Sequence, residues 1–306
     1  RENDELVNQL VEIEENIVSK KLNAIEELKS VNTFFSNWNI WKIEIEEIFN
    51  RTNSILEIGN NLHKVFFSTR SLGRDQSTLS SGGYAFEALV AWYLNLVFWN
   101  TNVVVVKKKQ HLVPSCVNDA LSITIANRTT NSESDLILYK VPLSNSNLNY
   151  SQMNDINKSI ESSIRGSENN TNLGIIQCKT NWNDNAQIPM LWDLVYNSSV
   201  HLPHVTVGRN GFNTASFKKF SYSFMTIPTN NINQYSTNSV KVDRVANITG
   251  GNYWSFPTKN GVAKNLNEYF LKNFPEVFAG VSLDAHIHSS VISTNIYKNF
   301  FNLKFL

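Results

Sequence analysis

The sequence predicts an α/β fold, a sheet core flanked by helices and preceded by a helical N-terminal region. Two patterns point to it. Between residues 103 and 227 short β-branched runs alternate with stretches of helical spacing, the arrangement of an α/β domain. Before residue 78 the apolar residues recur at helical intervals, with no strand-like alternation. Hydrophobic residues make up 42% and charged residues 17% of the 306 positions, a composition that folds rather than staying disordered.

Leu6, Leu10, Ile13, Ile17 and Leu22 form the stripe of a long amphipathic helix over residues 3–30. Further helices are expected from Trp38 to Phe49 and from Ile55 to about Phe67. The Ser/Gly-rich stretch Ser71 to Gly83 reads as a loop, so the chain divides into a helical region at 1–78 and an α/β region at 79–306. Tyr84 to Trp99 is helical in length and apolar nearly all round, which places it centrally. Glu87 is its exception: a carboxylate there caps the first turn, joins a salt bridge or faces a metal.

Val103 to Val106 is a strand running into Lys107, Lys108 and Lys109. Leu121 to Ala126 and Leu136 to Tyr139 look like hairpin arms joined by the polar turn Asn127 to Ser134. Residues 143–172 are Asn/Ser-rich and read as an insertion with one short helix near Asn154 to Ile164. Leu173, Ile175 and Ile176 then mark a buried strand ending in Gln177, Cys178 and Lys179. Alternation puts Gln177 and Lys179 on one face. Ala186 to Ser198 is a helix with Pro189 in its first turn, His204 to Val207 a strand, Gly208 to Gly211 a turn and Ser221 to Ile227 a strand. Ala263 to Asn273 is a helix ending before Pro275, and Ala285 to Ser293 a strand.

Composition excludes some classes of function. A formal charge of +1 announces no global basic field, although a local basic groove is compatible with it. Two cysteines, Cys116 and Cys178, make no disulfide framework and no CxxC pair, which fits a cytoplasmic protein. The most apolar stretch, Phe86 to Phe98, is too short and too polar to span a bilayer, and the acidic N-terminus is unlike a signal peptide. The chain opens on Arg1, consistent with a few native residues preceding it. No Walker or GxGxxG loop is present, so no nucleotide cofactor is expected, and Ser289 and Ser290 form no GxSxG elbow. His286 and His288 share a strand face, but no third ligand at zinc spacing accompanies them.

If the strands of Asp135 and Gln177 are neighbours, a carboxylate, an amide and an ammonium converge at one sheet end, suiting a divalent metal and a phosphodiester. The helix with Glu87, the hairpin whose second strand opens with Asp135, and the strand Gln177-Cys178-Lys179 followed by a helix together resemble the PD-(D/E)XK nuclease superfamily over residues 83–198. Two positions depart from its pattern: Ser134 stands where the family has Pro, and Gln177 where Glu is usual, the D…QxK variant. The 143–172 insertion accounts for the long separation of Asp135 from Gln177.

The resemblance implies a restriction-endonuclease-like mixed β-sheet core and a magnesium-dependent cut in double-stranded DNA. Asp135 would be the principal Mg2+ ligand, Gln177 and the Cys178 carbonyl further oxygen ligands, and Glu87 a ligand directly or through water. Lys179 would orient or deprotonate the attacking water. Asn181, Asn183, Asp184, Asn185 and Gln187 crowd the region beyond Lys179, where Asn and Gln pair with adenine edges or cap a helix. Lys107, Lys108 and Lys109, with Arg209 and Asn210, are candidates for the DNA backbone, or a solvated charge run. A Type II restriction enzyme of bacterial origin would act as a homodimer, with the helical region and residues 220–306 sharing dimerisation and recognition. Two alternatives stand beside it. One is a Mrr-like modified-DNA nuclease or a resolvase, in which Tyr253, Trp254 and Phe256 line a base pocket or simply pack. The other is a non-catalytic binding module.

Overall fold

The computed structural model describes residues 2–69, 79–130, 132–143, 156–180, 187–197, 203–227, 253–255, 266–278 and 285. In chain order its elements are α1 (Glu2–Lys29), α2 (Asn32–Thr52), α3 (Ile55–Asn60), α4 (Leu62–Phe67), α5 (Leu79–Val97), β1 (Val103–Lys107), α6 (Ser115–Ala120), β2 (Ile123–Ile125), β3 (Arg128–Thr130), β4 (Leu136–Lys140), α7 (Ile156–Ile164), β5 (Asn172–Lys179), α8 (Gln187–Asn197), β6 (Val205–Val207), β7 (Lys219–Thr226), β8 (Tyr253–Ser255) and α9 (Leu266–Asn273). The fold is mixed α/β. One sheet runs β1-β4-β5-β7-β8, and a smaller one β3-β2-β6. No helix among the described residues is long and apolar enough to cross a membrane.

The chain divides into two compact units, and the division is discontinuous: residues 1–24, 102–177 and 188–223 form the first, and 25–101, 178–187 and 224–306 the second. This differs from the single break after residue 78 that the sequence suggests. The early part of α1 explains the difference, because Ile17 and Ala24 are buried in the core of the first unit.

In the first unit β1 and β4 are antiparallel with Val105 opposite Leu138, and β4 and β5 antiparallel with Leu138 opposite Gly174. These strands are buried along nearly their whole length, which is why they read as unbroken apolar runs rather than alternating ones. Gly174 permits close packing: a Cβ there would lie 3.1 Å from Ser221 Oγ and 3.7 Å from Leu138 Cβ. Ile160 and Ile164 of α7 and Tyr196 of α8 close the core. On α1 the expected Ile17 is buried, as are Lys20, Lys21, Ala24, Ile25 and Leu28, whereas the expected Leu22 is only half-buried; the side chains of Leu6, Leu10 and Ile13 lie outside the described residues. The Lys20 ammonium donates to Asn157 Oδ1, and burial pushes Lys21 well below the usual lysine range.

The expected hairpin between Leu121–Ala126 and Leu136–Tyr139 does not form. Its true partner strand lies inside the segment read as a turn: β2 pairs with β3, Ile125 opposite Arg128, and β4 belongs to the other sheet. Ala126 and Asn127 make the two-residue turn with φ of 46° and 67°, the left-handed pair a tight hairpin requires. No Gly marks it, so the turn escapes a sequence reading.

In the second unit Phe34 stacks on Trp38, and Trp38 meets Trp92 edge-on, joining α2 to α5. Phe98 packs on Phe270 and Phe274 at 5.3 and 5.1 Å between ring centroids. The end of β7 pairs in parallel with β8, Phe224 opposite Tyr253. The single helix expected from Ile55 to Phe67 is broken into α3 and α4 at Asn61. The Asn61 side chain donates to the Glu57 carbonyl at 2.7 Å and competes with the helical ladder. Helix α5 begins at Leu79, so the Ser/Gly stretch is partly helical and Glu87 sits two turns in, beyond the reach of first-turn capping.

Candidate functional site

The polar cluster of the first unit gathers where β4 begins and β5 ends. Asp135 immediately precedes β4. Its N–H donates to the Ile176 carbonyl at 3.2 Å, and its carbonyl accepts from the Lys108 N–H at 3.2 Å. Asp135 therefore stays tied to β5 beside Gln177 on one side and to the end of β1 on the other. Strand β4 itself starts one residue later than the sequence suggests.

Gln177 is fully buried, and both ends of its amide have partners. Oε1 accepts from the Tyr222 hydroxyl at 2.8 Å, and Nε2 donates to Glu133 Oε2 at 3.0 Å. The carboxylate fixes the amide's orientation, because a flipped amide would set two acceptors against each other. The Tyr222 hydroxyl also lies 3.1 Å from the Glu133 carbonyl. Tyr196 stacks on Tyr222; its hydroxyl donates to the Leu121 carbonyl at 2.7 Å and accepts from the Ser132 hydroxyl at 3.0 Å.

The electrostatics agree with this grouping. Burial pushes the Tyr222 phenol far above its ordinary range, and the charges of Tyr196, Asp135, Glu133 and Asp193 add to the effect. Burial, offset by the Ser132 hydrogen bond, pushes Tyr196 up to about 12. Lys108 is half-buried, and its ammonium donates to the Ser132 carbonyl at 2.9 Å. Burial lowers it to about 8, against the opposing pull of the Asp135 carboxylate.

The structure thus brings together Asp135, Gln177 and Lys108 of the expected residues, and adds Glu133, Tyr222 and Ser132. Glu133 stands two positions before Asp135 within SESD, a spacing that could have flagged it. Tyr222 alternates with Phe220 and Phe224 and reads as core, so nothing marked its hydroxyl. Lys179 ends β5 half-buried, Cys178 is buried, and Glu87 is half-buried on α5; all three belong to the second unit. Lys107 and Lys109 are half-buried at and just beyond the end of β1. Arg209 is held by protein: its Nε donates to Asp119 Oδ1 at 2.6 Å, and Asn210 donates to Asp119 Oδ2 at 3.0 Å.

The chain matches no protein-family model, and no curated protein is similar to it. Assignment therefore rests on the cluster itself.

Asn181, Asn183, Asp184 and Asn185 lie outside the described residues, as do the Gln187 side chain, His286, His288, Phe256 and the side chains of Tyr253 and Trp254. No group of three or more His, Cys, Asp or Glu side chains that could hold a metal is gathered among the described residues. The donors present at the cluster are carboxylate and amide oxygens, the hard set that a magnesium ion takes. Such an ion needs only one or two protein carboxylates when water and substrate phosphate complete its shell.

Proposed function

We propose that this chain is a Type II restriction endonuclease that hydrolyses phosphodiester bonds of double-stranded DNA at a short specific site, with magnesium and as a homodimer. The observation that carries the reading is the hydrogen-bonded position of Asp135 beside Gln177 at the end of the β4–β5 pair. The order α5, β4, β5, α8 supports it, since those elements carry the residues on which the resemblance to the PD-(D/E)XK superfamily rests.

Asp135 would hold the ion; the resemblance assigns water activation to Lys179 and metal ligation to the Cys178 carbonyl and Glu87. When bound, the ion would supply Lewis-acid stabilisation of charge at the phosphate and a more acidic water. The side chains contribute orientation and field. The Lys108 ammonium, fixed on the Ser132 carbonyl beside Asp135, offers positive charge to an incoming phosphate. Tyr222 fixes Gln177, whose amide cannot rotate without losing two hydrogen bonds. Cutting both strands of a symmetric sequence calls for two such sites related by a twofold axis, hence the dimer.

The test is incubation of plasmid and phage DNA with the purified protein, with magnesium or with EDTA, comparing wild type with Asp135→Ala and Lys179→Ala. Discrete, magnesium-dependent fragments absent from both variants are expected. Intact DNA throughout, on modified DNA as well, would overturn the reading in favour of a binding module.

A further inference from the structure

The D…QxK arrangement leaves a charge to be found. A divalent cation among oxygen donors is held well by two carboxylates, and Gln177 is a neutral amide where the pattern this sequence resembles has a second acid. The amide is poorly placed to act even as a neutral ligand. Its oxygen accepts from the Tyr222 hydroxyl at 2.8 Å, and its nitrogen, which cannot ligate a metal, donates to Glu133 Oε2 at 3.0 Å. The residue is fully buried, so both hydrogen bonds form away from competing water.

Glu133 is an exposed residue two positions before Asp135. A carboxylate has about four lone-pair sites, so accepting from Gln177 is compatible with ligating an ion. Its main chain is steadied as well, because its carbonyl oxygen lies 3.1 Å from the Tyr222 hydroxyl. Outer hydrogen bonds of this kind fix the direction of ligating carboxylates and tune their affinity.

Resting on the nuclease reading above, we infer that Glu133 is the second metal-binding carboxylate of the Asp135 site, and that Gln177 is a positioning residue that holds it through the amide N–H. The acid has moved from the strand to the segment leading into β4, and the glutamine has taken the role of its anchor.

The experiment is calorimetric titration of the metal-free protein with Mn2+, alongside circular dichroism and magnesium-dependent DNA cleavage. The proteins compared are wild type, Glu133→Gln, Asp135→Asn, Gln177→Glu and the double variant Glu133→Gln/Gln177→Glu. Glu133→Gln is expected to weaken Mn2+ binding at least about tenfold with unchanged folding, by loss of a ligand. The double variant exchanges acid and amide across the same hydrogen bond, and because position 177 is buried and only positions its neighbour, it is expected to bind Mn2+ as weakly as Glu133→Gln. Unchanged Mn2+ affinity in Glu133→Gln, or a folded double variant that recovers wild-type affinity, overturns the inference even if wild type cuts DNA. Absence of cleavage together with unchanged Mn2+ binding in Asp135→Asn instead overturns the nuclease reading itself.

Discussion

The Tyr222 hydroxyl stands 2.8 Å from Gln177 Oε1, and both side chains are fully buried. Replacing Tyr222 with Phe keeps the ring in its stack on Tyr196 but removes the donor, leaving a buried amide oxygen without its hydroxyl. The cost expected is about 1–3 kcal/mol, the desolvation penalty of one orphaned neutral acceptor. Urea unfolding of the variant should show a lower midpoint with an unchanged slope, and an unchanged midpoint would refute the assignment of this bond.

How much of this cluster was legible beforehand differs residue by residue. Asp135 and Gln177 stood out because each is a polar residue at the edge of an unbroken apolar run, and periodicity exposes that contrast. The pairing of β4 with β5 entered the sequence reading only as a condition; the two strands do pair across the insertion, and both, apolar on both faces, lie inside a sheet. The partner of β2 was misread because Ala126 and Asn127 form the tight turn without the glycine that usually announces it. Glu133 and Tyr222 were not identified, since their roles arise only when three separate strands or strand ends meet. On α1 Ile17 is buried as the pattern has it and Leu22 only half-buried, while tertiary packing buries Lys20 and Lys21, which a hydrophobicity pattern assigns to solvent.

Arg209 was a candidate for the DNA backbone, but its guanidinium is committed to Asp119, whose side chain is only 9% exposed. Arg209→Ala should therefore act on stability. Loss of a charge-assisted bond to a largely buried carboxylate predicts about 1–2 kcal/mol, moderated because the Arg209 side chain is half exposed. On the nuclease proposal, the salt dependence of DNA binding should stay as in wild type. A reduced salt slope with unchanged thermal stability would return Arg209 to the DNA interface.

Two glycines of the same turn separate steric from conformational cost. Gly208 has φ of +88°, and a Cβ there would lie 2.1 Å from the Phe212 carbonyl oxygen, a backbone atom that cannot give way. Gly211 has φ of +84° with open space around it. Gly211→Ala should cost about 1 kcal/mol, the penalty of left-handed backbone for a residue with a side chain. Gly208→Ala should cost clearly more, since the turn must open, and denaturation midpoints of the two variants provide the comparison. Equal losses would show that the close approach at Gly208 is relieved elsewhere.

His63, on α4, supplies the pH dependence. Its ring is 5% exposed, and burial, assisted by the neighbouring Lys64 charge and opposed by a hydrogen bond with the Asn60 backbone, lowers its pKa from 6.5 to about 4. Below pH 6.5 the unfolded chain takes up a proton that the folded chain refuses until about pH 4. Stability is therefore fully present above pH 6.5 and falls as the pH drops through that window. The loss from this one group amounts to at most roughly 3 kcal/mol. Because carboxylates begin to titrate in the lower half of the window, the informative quantity is the difference between wild type and His63→Leu. Unfolding free energies measured from pH 7 to pH 4 should fall less steeply in the variant, with the two curves separating mainly between pH 6.5 and 5. Parallel curves over that range would mean that His63 takes up its proton as readily in the folded chain as in the unfolded one.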